Sequence, residues 1–87
     1  MSWSVVLSKQ AVKDLKKLKH TGLSSQTRKL LELLQSDPFA YPPRYEKLLG
    51  NLKSFYSRRI NIQHRLVYSV DSDTRTVHIL RMWTHYE

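Results

Sequence analysis

Between Ser36 and Arg44 the chain changes its periodicity, and that change limits the folds open to it. Before Asp37-Pro38, apolar residues recur every three or four positions. Beyond the prolines Pro38, Pro42 and Pro43 they alternate. The first pattern belongs to helices buried along one stripe, the second to half-buried strands. A helical block followed by a strand block predicts an α+β domain, with the helices packed on one face of the sheet and the other face left open for a site.

Trp3 to Leu7 is bulky and β-branched and predicts an N-terminal strand. Ser8 is placed to cap a helix whose stripe is Ala11, Val12, Leu15 and Leu18, with lysines filling the rest. Gly22 ends that helix. Ser24 or Ser25 is placed to cap a second, with the stripe Thr27, Leu30, Leu31 and Leu34, and Asp37-Pro38 stops it. The two make a basic hairpin with a short Thr21-Gly22 link. Pro38 to Arg44 reads as an extended loop. Strands are expected over Phe55–Ile62, Arg65–Val70 and Thr76–Trp83, with a tight turn at Asp71-Ser72-Asp73 and a short extra piece at Leu48-Leu49. The short links predict an antiparallel sheet of three to four strands. No repeat or low-complexity tract interrupts the 87 residues, which read as one domain, 1–87.

The absence of cysteine excludes disulfides and thiolate metal sites. No histidines and acids stand at metal-ligand spacing, and two glycines are too few for a phosphate-cradling loop. No metal and no cofactor are expected. The run Val5-Val6-Leu7 is too short to cross a membrane, and the start lacks the features of a secretory leader. The expected protein is cytoplasmic, with no membrane partner. Fifteen Lys and Arg against seven Asp and Glu leave a net charge of +8, which predicts a polyanionic partner.

Side-chain parity points to where an anion would bind. Arg59 shares a strand face with Ser57, Arg65 with Val67, and Arg81 with Trp83 and, if the strand continues, His85. Leu66, Tyr68 and Val70 fall on the opposite, core-facing side. Guanidinium groups match phosphate because their planar fork donates two parallel hydrogen bonds. Arg59 and Arg65 are therefore phosphate-binding candidates. Arg58 joins them by sequence, although by itself it reads rather as a solvated strand residue.

Glu46 sits between Arg44 and Lys47, where cationic neighbours favour the ionised form a general base needs. It reads as a base or as a surface ion pair. His85 is its natural partner, since an imidazole titrating near ~6.5 can donate a proton at neutral pH once a phosphate is beside it. His64, next to Arg65, is a weaker helper, and His20 and His78 are weaker still. Tyr41, Tyr45, Phe55, Tyr56, Trp83 and Tyr86 flank the basic segments, an arrangement suited to single-stranded RNA, where bases stack and phosphates need cations. Tyr86 is the foremost stacking candidate.

The run Asn51-Leu52-Lys53-Ser54-Phe55-Tyr56-Ser57-Arg58-Arg59-Ile60, followed by His64-Arg65-Leu66-Val67-Tyr68, resembles the YoeB/Txe toxins of bacterial toxin–antitoxin modules, within the wider RelE/ParE superfamily. Asp37-Pro38-Phe39, Glu46-x-Leu48 and the pair His85-Tyr86 agree with it. The resemblance implies a small microbial-ribonuclease-like fold and metal-free endonucleolytic cleavage of mRNA in the ribosomal A site. It implies Glu46 as general base, Arg65 as stabiliser of the charged transition state, and His85 as general acid. Tyr86 would orient substrate, and Arg59, Arg58, Lys53, Lys47 and Arg81 would hold RNA. The implied partners are an acidic antitoxin and the ribosome with its mRNA, and a homodimer is compatible with the family. The chain departs from the family pattern where Lys47 stands in place of the proline of one well-known member, Leu49 replaces a lysine and Glu87 follows the His-Tyr pair. The alternatives are a superfamily relative that inhibits DNA gyrase by binding, and a non-catalytic protein whose basic face docks an acidic partner. Neither needs Glu46 together with His85.

Overall fold

The computed structural model describes residues 2–42, 44–48, 55–61 and 64–83. Its elements run β1 (Ser4–Leu7), α1 (Lys9–His20), α2 (Ser24–Ser36), β2 (Tyr45–Leu48), β3 (Phe55–Arg59), β4 (Arg65–Asp71) and β5 (Thr76–Arg81). The five strands form one sheet in the order β1-β5-β4-β3-β2. The α+β class and the helix hairpin are as expected. The sheet is larger than expected, and it is mixed: β1 returns to pair parallel with β5, Val5 opposite Val77 and Leu7 opposite Ile79. A parallel pair needs a long crossover, and here the whole remainder of the chain supplies it.

Local chemistry explains the boundaries. Ser8 Oγ accepts a hydrogen bond from Ala11 N at 3.0 Å, capping α1, and donates to Leu80 O at 2.9 Å, tying the cap to β5. Gly22 takes the left-handed conformation (φ 79°) that ends α1. The start of α2 differs from expectation. Its cap position is Leu23, with no side-chain hydrogen bond, so neither Ser24 nor Ser25 caps it. Strand β3 stops at Arg59, before Ile62, because Ile60 and Asn61 turn back to meet the carbonyl of His64.

The helices cover one face of the sheet. Leu18, Leu30 and Leu34 are buried with Leu66, Tyr68, Val77 and Ile79. On β1 and β5 the alternation is clear: Val5 and Leu7 face inward, while Val6 and His78 are exposed. No helix among the described residues is long and apolar enough to cross a membrane.

Candidate active site

Strands β2, β3 and β4 lie side by side and antiparallel, with Glu46 opposite Ser57, Ser57 opposite Val67, and Arg59 opposite Arg65. Residues two apart on a strand share a face, so Arg44, Glu46, Ser57, Arg59, Arg65 and Val67 fall on the face away from the helices. Five of them, Arg44, Glu46, Ser57, Arg59 and Arg65, line a cavity of about 260 Å³. Arg65 Nη1 lies 3.5 Å from Glu46 Oε2, with the Arg65 side chain 20% exposed and that of Glu46 48% exposed. Like charges directly opposite on neighbouring strands repel. Glu46 offsets one of the three guanidinium groups, and the surplus of positive charge suits an anion such as a phosphodiester. An ion pair this long and this exposed is worth only about 0–1 kcal/mol, so an incoming phosphate can take Arg65 from Glu46 at little cost.

The opposite face of β2 and β3 explains why this corner holds its shape. Arg58 is buried there. Its Nη2 donates to Pro38 O at 3.0 Å and to Ala40 O at 2.8 Å, and its Nε donates to Tyr68 Oη at 3.1 Å. The Tyr68 hydroxyl donates in turn to Pro38 O at 2.9 Å. Burial pushes the Tyr68 phenol above its usual range, partly offset by Arg58, so it stays protonated and able to donate. The guanidinium lies over the Tyr45 ring, and Phe39, Tyr45, Tyr56 and Tyr68 pack as an aromatic row. These contacts fasten the proline loop to the sheet, and with it the entry of the chain into Arg44 and Glu46.

A second fastening lies at the end of β5. The buried carboxylate of Asp14, on α1, accepts from Met82 N at 2.9 Å, Trp83 N at 3.2 Å, Arg81 Nε at 3.2 Å and Gln10 Nε2 at 3.0 Å. Burial favours its neutral form, but the hydrogen bonds from Met82, Gln10, Arg81 and Trp83 outweigh burial and hold the carboxyl below the usual carboxylate range. Beyond it, the His64 and Trp83 rings stack with centroids 3.9 Å apart, and Lys17 Nζ stands 5.9 Å from the Trp83 ring.

The sequence-predicted residues therefore divide. Glu46, Arg59 and Arg65 come together. Arg58 does not join them: it faces the aromatic side and is engaged by backbone carbonyls. Lys47 alternates to that same side, opposite Tyr56. Arg81 reaches α1 instead, its Nε 3.2 Å from the Asp14 carboxylate, on the side where Val77 and Ile79, of the same parity, are buried. Tyr45 and Tyr56 belong to the aromatic row on the face away from the cavity. Lys53, Leu49, His85 and Tyr86 lie outside the described residues. Arg44, Ser57 and Asp14 are additions to the expected site residues. Arg44 and Ser57 were discoverable, since they share parity with Glu46 and Arg59. Nothing in the sequence marks Asp14.

Known proteins share both the sequence and the fold. The signature of the YoeB-like toxins of bacterial type II toxin–antitoxin systems matches residues 7–86. The chain is 36% identical to Toxin YoeB of Synechocystis over 74 residues, 85% of this chain and 77% of that one. It is 40% identical to Toxin YoeB of Mycobacterium bovis over 58 residues, 67% of this chain and 66% of that one. The YoeB dimer of Staphylococcus aureus superposes with a TM-score of 0.82 at 31% identity, covering 99% of this chain and all of that one. The Staphylococcus aureus YoeB–YefM complex superposes at 0.78 with the same identity. With a matching signature over nearly its whole length and a matching fold, this chain belongs to the YoeB-like toxins of bacterial type II toxin–antitoxin systems.

Proposed function

We propose that this toxin is a ribosome-dependent mRNA endonuclease that cleaves in the A site by metal-free acid–base chemistry. The observation that carries the reading is the Glu46–Arg65 pair at 3.5 Å inside a cavity otherwise lined by Arg44, Arg59 and Ser57. A carboxylate and several guanidinium groups converge where a phosphodiester and its ribose fit. Arg65 and Arg59 bind the phosphate, and Glu46, released from Arg65, takes the proton of the ribose 2′-hydroxyl. The 2′-oxygen attacks phosphorus, and the arginines stabilise the extra negative charge of the five-coordinate transition state. The bond to the 5′-oxygen breaks as that oxygen takes a proton from His85, with Tyr86 orienting the substrate. The products are a 2′,3′-cyclic phosphate, open to hydrolysis to a 3′-phosphate, and a 5′-hydroxyl.

The net charge of +8 supports docking on ribosomal RNA, and the protein works in the cytoplasm, where its substrate is. Its cognate antitoxin is an acidic protein whose segment covers the arginine-lined cavity; that a related YoeB forms a complex with YefM supports an antitoxin partner. Self-association follows the same analogy with a YoeB dimer.

The test is to add the purified protein to translating ribosomes and map the 5′ ends of the mRNA fragments. Cuts within the A-site codon bearing 5′-hydroxyls are expected. Intact mRNA together with inhibited DNA supercoiling would overturn the reading in favour of a gyrase-binding toxin.

A further inference from the structure

The floor of the cavity holds a hydroxyl with no visible employment. Ser57 is 1% exposed, and its Oγ is buried with no hydrogen-bond partner among the described residues. A buried hydroxyl left unbonded destabilises a fold relative to alanine, which packs in the same space. Its position suggests what it is for. Ser57 stands directly opposite Glu46 in the β2–β3 register and lines the same cavity. Side chains so placed have Cβ atoms about 4.5–5.5 Å apart, so a Glu46 carboxylate drawn back from Arg65 comes within reach of Ser57 Oγ on the neighbouring strand. In the structure the carboxylate instead leans 3.5 Å from Arg65.

We propose that Ser57 is a positioning residue for Glu46, donating its hydroxyl proton to the carboxylate once substrate phosphate draws Arg65 away. This rests on the reading of Glu46 as the general base. The pair with Arg65 is then the resting arrangement, and the bond from Ser57 is made only with substrate bound. That bond holds one carboxylate oxygen and leaves the other aimed at the ribose 2′-hydroxyl. A bond formed after substrate enters raises the rate of the chemical step without tightening binding. It also accounts for an unbonded hydroxyl being kept in the free protein, since stability is given up at the site for catalysis.

The test is single-turnover cleavage of mRNA on programmed ribosomes by the parent protein, Ser57→Ala and Ser57→Cys, and by Glu46→Ala with and without Ser57→Ala. Cysteine keeps the volume but is a weak donor. Both Ser57 variants are expected to slow the cleavage step about tenfold, the worth of one hydrogen bond. The half-saturating ribosome concentration is unchanged, and the melting temperature of Ser57→Ala is equal to or above that of the parent. In the Glu46→Ala background, Ser57→Ala has no further effect. Parent-rate cleavage by Ser57→Ala beside a crippled Glu46→Ala overturns this inference alone. So does full activity of Ser57→Cys, or a loss that follows a fall in melting temperature. Parent-rate cleavage by Glu46→Ala overturns the assignment of the base, and this inference with it.

Discussion

Asp14 in the first helix and Met82 just past the last strand are 68 residues apart and joined by a 2.9 Å hydrogen bond from the Met82 backbone N–H to the Asp14 carboxylate. The same carboxylate holds Trp83 N and the Arg81 guanidinium, so it fixes where the chain leaves the sheet. His85 follows two residues after Trp83. Replacing Asp14 with alanine leaves the buried Met82 N–H unsatisfied and is expected to cost about 3 kcal/mol. Urea denaturation of Asp14→Ala against the parent measures it; a loss under about 0.5 kcal/mol would show that the clamp is not structural.

Acid sensitivity follows from the same group. The Asp14 carboxyl lies below the usual range in the folded chain, whereas in the unfolded chain it titrates near ~3.9. The unfolded state therefore binds more protons in that window, and stability falls as pH falls. Asp14 contributes fully above about pH 5, and its contribution is lost as pH drops through its folded value. Denaturation midpoints between about pH 2 and pH 6 are expected to fall less steeply for Asp14→Asn, whose side chain does not titrate.

Arg58 should be intolerant of lysine. Its fork serves Pro38 O, Ala40 O and Tyr68 Oη from one buried plane, which a single ammonium cannot reproduce. Arg58→Lys is expected to lose about 2 kcal/mol or more, with cleavage falling as the proline loop and Glu46 shift. Arg59→Lys, in an exposed position, should change stability by less than about 0.5 kcal/mol. Paired denaturation curves compare the two.

Within the cavity, Glu46→Gln keeps the shape of the base but not its charge. Cleavage is expected to drop about 10²–10⁴-fold with ribosome binding retained. Arg65→Ala should lower cleavage by about 10²–10³-fold. Rates on programmed ribosomes, with binding measured in parallel, separate the two steps; unchanged rates in both variants would remove the cavity from the chemistry.

Shortening the chain tests the proposed acid. A chain lacking only Glu87 is expected to cleave normally, whereas one ending at Thr84 should fold, retain the Asp14 clamp at Trp83 and fail to cleave. Thermal melts and fragment mapping on the same preparations give both answers. Cleavage by the shorter chain would exclude His85 as the acid.

The order of the amino acids by itself determined much of this protein. The 3.6-residue stripes of Leu18, Leu30 and Leu34 and the alternation of Leu66 with Arg65 and Val67 set the α+β class and the two faces of the sheet, because burial periodicity is local. Parity together with guanidinium chemistry singled out Arg59 and Arg65, and its cationic neighbours and the family resemblance pointed to Glu46. The rest depends on contacts remote in sequence. Nothing near Val5 announces that β1 will pair parallel with Val77. Arg81 was expected on the basic face with Trp83, and Asp14, distant in sequence, draws its guanidinium to α1 instead. Arg58 and Arg59 are adjacent and chemically identical, yet one is buried on three acceptors and the other lines the cavity. A strand sends neighbours to opposite faces, and only the packed sheet decides which face meets the loop and which meets substrate.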